Sequence, residues 1–129
     1  MEKEKYSILI VEDEPDISEL IEFNLKNEGY NVLLANDGEK GIELARKKSP
    51  SLILLDLMLP GIHGIDVCRI LNNDNDTKDI SIIILTALGQ EEDIIKGLET
   101  GADDYVTKPF SFPVLEARIK SVLRRRRNE

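Results

Sequence analysis

Cysteine and histidine are almost missing from this chain, with one of each, Cys68 and His63. A single cysteine forms no internal disulfide, and the pair supplies no zinc set. Long apolar runs are missing too, and nothing approaches the ~20 residues that span a bilayer. The opening MEKEKYSILIV is apolar for only six residues and lacks the charged region and cleavage pattern of a secretory signal. A cytoplasmic protein with no membrane partner is expected. Positive charge is scarce outside one run. Seventeen Lys and Arg face 25 Asp and Glu, a net charge of −8. Setting aside Arg124 to Arg127 and Glu129 leaves the first 123 residues at −11. A body that acidic repels phosphate backbones, so contact with DNA is expected only through a further domain.

What the chain does have is globular: 41% hydrophobic and 33% charged residues in 129, enough for one core. A single domain over residues 1–123 is expected, with 124–129 as a basic helix end or linker. Arginines suit the C-terminal end of a helix, where the macrodipole is negative. Five strand-like runs recur: Tyr6 to Val11, Tyr30 to Ala35, Ser51 to Asp56, Ile80 to Thr86 and Asp104 to Thr107. Between them lie stretches of helical spacing, such as Ile17, Leu20, Ile21 and Leu25, then Ile95 and Leu98, with a last helix from about Ser111. Continuous aliphatic strands alternating with helices imply right-handed crossovers into a parallel sheet covered on both faces.

In such a sheet ligands bind outside the carboxyl ends of the strands. The first strand ends in Glu12, Asp13 and Glu14, the third in Asp56, the fourth in Thr86 and the fifth in Lys108. Three carboxylates in one crevice repel one another unless a cation shares them. Oxygen ligands too few for a full cage suit magnesium, which keeps several waters and completes its shell with phosphate. Capping of the following helix, with Pro15 near its first turn, accounts for one or two of the acids but not for Asp56 on another strand. A carboxylate nucleophile with magnesium, a lysine and a hydroxyl forms a coherent phosphoryl-transfer site, with Asp56 as acceptor.

The segments LIVEDE, LILLDLMLPGIHGIDV, IIILTA and GLETGADDYVTKPF, taken together, resemble the receiver domains of two-component response regulators from about Ser7 to Arg125. The resemblance implies a three-layer doubly wound, flavodoxin-like fold with five helices and strand order 2-1-3-4-5. It makes Asp56 the phosphoacceptor for a sensor histidine kinase, Asp13 the direct magnesium ligand and Glu12 a second acid acting through water. Met58 would lend its backbone carbonyl to the metal. Thr86 matches the switch hydroxyl, Tyr105 the aromatic that follows it inward, and Lys108 the phosphate-pairing cation ahead of a cis bond to Pro109. Such a domain catalyses its own phosphorylation and dephosphorylation without being a turnover enzyme.

GLETGADDYVTKPFS with ARIKSVLRR further resembles the receivers that head winged-helix transcription regulators. That implies a homodimer on phosphorylation through the fourth helix, fifth strand and fifth helix. Asp104 would pair with Arg118 of a second copy, and Glu99 or Asp103 with Lys120 or Arg125, around Ile95 and Leu98. Ile94, Val114 and Glu116 depart from the family pattern, and Glu116 at the patch edge is expected to lean on Lys120. A stand-alone receiver is the alternative. A phosphatase-like hydrolase wants an acid where Met58 stands, and a flavodoxin-like carrier wants a phosphate loop where Glu12, Asp13 and Glu14 stand. His63 reads as a solvated loop residue, Cys68 as a small apolar side chain, and Asp74 and Asp76 as a polar helix end.

Overall fold

A computed structural model describes residues 2–127. After a short 3-10 turn at Lys3–Lys5, strands and helices alternate: β1 Ser7–Val11, α1 Pro15–Asn27, β2 Asn31–Ala35, α2 Gly38–Lys48, β3 Leu52–Leu55, α3 Gly64–Asn73, β4 Ser81–Thr86, α4 Glu91–Thr100, β5 Asp104–Thr107 and α5 Phe112–Arg127. All neighbouring strands are parallel, in the order β2-β1-β3-β4-β5. The expected fold is therefore the observed one. The runs SLILLD and ISIIILT form central strands, every residue of β3 and β4 being buried. The edge strand β2 is mostly not.

Alternation along the strands divides the interior into two layers. Leu9, Val11, Ile53, Leu55, Ile82 and Ile84 face α2 and α3. Ile8, Ile10, Leu52, Leu54, Ile83 and Leu85 face α1 and α5, which contribute Ile21, Leu25, Leu115, Ile119 and Val122. Successive strand side chains point to opposite faces, so one aliphatic run supplies both layers. Helical periodicity marks helices here without marking which residues are covered. Leu20, Ile95 and Leu98 are 58%, 47% and 44% exposed, and the buried residue of α4 is Gly97.

The arginines of the basic run lie at the end of α5, which reaches Arg127; Asn128 and Glu129 lie outside the described residues. Arg126 donates to the Ser51 carbonyl at 3.0 Å, which ties the end of the helix to the start of β3. Among the described residues no helix is long and apolar enough to cross a membrane.

Candidate functional site

Register places the acids. Val11 pairs with Leu55, so Glu12 and Asp56, the next residue of each chain, stand side by side just beyond the sheet. Asp56 extends the ladder by donating its amide to the Val11 carbonyl. Behind it the β3–α3 loop is drawn in so tightly that a Cβ at Gly64 would collide with the Asp56 carbonyl oxygen and the Leu57 Cα. Only glycine fits where the backbones approach this closely.

Glu12, Asp13 and Asp56 each offer a carboxylate oxygen, and these three atoms lie within 4.8 Å of one another. Glu12 and Asp56 are 4% exposed, while Asp13 faces solvent. Lys108 enters from the end of β5, with Nζ 2.6 Å from Glu12 Oε1 and 3.1 Å from Asp56 Oδ2. Glu14 Oε1 comes within 3.8 Å of the same ammonium. The other Asp56 oxygen accepts the Met58 amide at 3.0 Å. Asp56 is thus pinned on both oxygens while its edge faces the crevice. The Lys108–Pro109 bond is cis, as expected.

The electrostatics follow from burial. Desolvation pushes the Glu12 carboxyl up to about 7, with Asp56 adding to the rise and Lys108 opposing it. Burial acts to lower the Lys108 pKa, but the hydrogen bond to Glu12 and the charges of Asp56 and Glu12 outweigh it, so the ammonium is held above its ordinary value. One lysine against three clustered carboxylates leaves net negative charge in an enclosed place. Hard oxygen donors in that surplus fit a small divalent cation.

On the flank, Thr86 is fully buried at the end of β4, and its Oγ1 receives a long contact, 3.5 Å, from the Leu88 amide. The Tyr105 hydroxyl donates to the Leu88 carbonyl at 2.5 Å. Burial, then the charges of Asp93 and Asp56, raise its pKa to about 12. The structure therefore gathers Glu12, Asp13, Asp56 and Lys108 at one point, with Thr86 and Tyr105 linked through Leu88.

Other expectations need amendment. None of the acids before α1 caps it through a side-chain hydrogen bond; Glu14 occupies the cap position, and its amide donates to Glu12. His63 is exposed, but it also caps α3 by accepting the Ile65 amide on Nδ1. Glu116 does not rest on Lys120 alone. Lys3 is nearer, 3.3 Å against 3.8 Å, and Lys3 also binds Glu28 at the end of α1. That turns Glu116 toward α1 and away from the α4 side of α5. Arg118 holds Asp104 of its own chain at 3.3 Å, and the Asp103 carboxylate accepts the Ile82 amide. Glu14 on Lys108 and Leu88 as the acceptor for Tyr105 went unforeseen. The first had a signal in its position beside Asp13, and the second, a backbone atom, had none.

An open parallel sheet with clustered carboxylates and a lysine at its carboxyl edge is the architecture of the receiver class of signalling domains. The chain belongs to the response regulator receiver domain family, whose model matches residues 8–120. It is 51% identical over 118 residues to the "DNA-binding dual master transcriptional regulator RpaA" of Synechocystis sp., covering 92% of this chain and 49% of that protein. It is 49% identical over 118 residues to the "Phosphate regulon transcriptional regulatory protein PhoB" of Escherichia coli, covering 92% and 52%. The chain spans about half the length of these curated relatives. Among solved structures it resembles the receiver domain of sensor histidine kinase PA1611 from Pseudomonas aeruginosa, with a TM-score of 0.84, 31% identity and coverage of 92% and 97%. That domain was solved with a magnesium ion coordinated in its active site cleft.

Proposed function

We propose that Asp56 takes a phosphoryl group from a phosphohistidine of a sensor histidine kinase, with Mg2+ held by Glu12, Asp13, Asp56 and the Met58 backbone carbonyl. The observation that carries this reading is the buried Asp56 carboxylate, held by Lys108 and the Met58 amide within reach of two further acids. Asp56 supplies an oxygen that bonds to phosphorus as the phosphorus–nitrogen bond of the donor breaks and the imidazole leaves. Lys108 pairs with the transferred oxygens, and Thr86 turns its hydroxyl toward them. The bound metal would neutralise phosphoryl charge that these residues alone leave uncompensated. An apolar hollow of about 490 Å³, lined by Ile17, Leu20, Pro109, Phe110 and Phe112, opens beside Lys108 and offers the donor protein a seat.

The domain over residues 1–123 then acts as the regulatory module of a transcription regulator, with 124–129 leading toward a DNA-binding output. Its signal is a homodimer through α4, β5 and α5, around the exposed Ile95 and Leu98, with Glu99, Asp103, Asp104, Arg118 and Lys120 as the charged rim. Acetyl phosphate with magnesium tests the acceptor. The parent gains one phosphoryl group by intact mass, sensitive to hydroxylamine, and Asp56→Asn gains none. Equal labelling of both proteins would falsify the assignment.

A further inference from the structure

The helix α4 carries a glycine, Gly97, in its interior, where most other residues would favour the helix more. Gly in a helix interior is less favourable than Ala, because it gives up more backbone freedom. Gly97 is also the residue by which α4 is buried, while Ile95 and Leu98 of the same helix stay exposed. Loss of helix propensity at the one point of close approach implies that something needs the space.

The space is taken by Tyr105. A Cβ at Gly97 would lie 3.0 Å from Tyr105 Cδ2 and Cε2 and 2.7 Å from Ile84 Cδ1. The Ile84 methyl is the tip of a flexible chain and can swing aside. The ring edge cannot move so easily, because its hydroxyl is fixed to the Leu88 carbonyl and it packs against the core layer that contains Ile84. Leu88 in turn touches Thr86 through its amide. A line of contacts therefore runs from Thr86 through Leu88 and the Tyr105 ring to the α4 backbone at Gly97, with no slack at its last joint.

We infer that Gly97 is a positioning residue for Tyr105: its missing side chain seats the ring beneath α4 and so lets movement at Thr86 reach the exposed face of that helix. The inference rests on the phosphoacceptor reading of Asp56, since that reading supplies the event that moves Thr86. A methyl at position 97 makes the ring give by a few tenths of an ångström, which loosens its seat against Leu88 and leaves Asp56 and its proposed metal ligands untouched.

The chain has no tryptophan and three tyrosines, so Tyr6→Phe with Tyr30→Phe leaves Tyr105 as the sole fluorophore. The Tyr30 hydroxyl is buried without a hydrogen-bond partner, so its removal breaks no hydrogen bond. In that background Gly97→Ala should at least double the acrylamide quenching constant. Binding of beryllofluoride with magnesium, followed by fluorine NMR, should persist, while the accompanying shifts of the α4 amides are lost. A stability cycle gives a second readout. Gly97→Ala should raise the melting temperature by several degrees when Tyr105 is Ala, and should leave it unchanged or lowered when Tyr105 is present. Equal temperature shifts in the two backgrounds, or unchanged quenching, overturn the role of Gly97. Failure of beryllofluoride to bind the parent overturns the Asp56 reading instead.

Discussion

Ninety-six residues of sequence separate Lys108 from Glu12, and 2.6 Å separates Nζ from Oε1. Both side chains are nearly buried, so in the metal-free protein this lysine is the principal counter-charge for Glu12 and Asp56. Removing one partner of a buried pair leaves the other charge uncompensated, at a cost of about 3–5 kcal/mol. Lys108→Met should lower metal-free stability by an amount of that order, measured by urea unfolding in EDTA. Millimolar magnesium should recover a large part of it.

Magnesium should stabilise the parent because it relieves repulsion among the three clustered carboxylates. Asp13→Ala should raise the metal-free melting temperature and abolish most of the magnesium response. Thermal unfolding with and without the metal decides it: a variant that still responds fully does not have Asp13 as a ligand.

The pH dependence has a definite sign. The Glu12 carboxyl titrates near 7 in the folded chain against an ordinary 4.5. A raised value means that folding favours the protonated form. Its contribution is complete below 4.5 and is lost as pH rises through 7. Metal-free protein should therefore gain up to about 3 kcal/mol from this group between pH 8 and pH 4.5. Glu12→Gln should remove that component, and identical pH profiles for the two proteins would exclude Glu12 as its source.

Gly64→Ala drives a methyl into the backbone at Asp56 and Leu57, which cannot yield as a side-chain tip can. Overpacking of this kind costs about 1–3 kcal/mol. Labelling by acetyl phosphate should slow at the same time, because the collision moves the acceptor itself.

Arg118 and Asp104 form an exposed pair within one chain. Such pairs are worth about 0–1 kcal/mol, so Arg118→Glu should barely change monomer stability. Light scattering with beryllofluoride and magnesium should show a dimer for the parent and a weaker one for the variant. A parent that stays monomeric across micromolar concentrations removes the dimer and favours a receiver that offers this face to another protein.

Strand positions and the gathering of Glu12, Asp56, Thr86 and Lys108 were legible because both follow from short-range pattern. Aliphatic runs mark the strands, and parallel topology sends every strand end to one rim. Which side of a helix faces the sheet was less so. The periodicity of Leu20, Ile95 and Leu98 marks a helix but not its orientation, and α4 docks through a glycine that carries no hydropathy signal. The setting of Glu116 was hidden for a different reason: its partner Lys3 lies 113 residues away in a 3-10 turn that no pattern announces.

Glu12 and Asp56 each follow the last paired residue of a strand, and that pairing makes chain length a chemical variable. Side chains alternate faces, so deleting one residue from β3 would draw Asp56 back into the place of Leu55, among core side chains, and bring Leu57 to the position Asp56 now holds. The Asp56 carboxylate is addressed by counting along the strand, and a slip of one residue would take it out of the crevice while leaving the composition almost untouched.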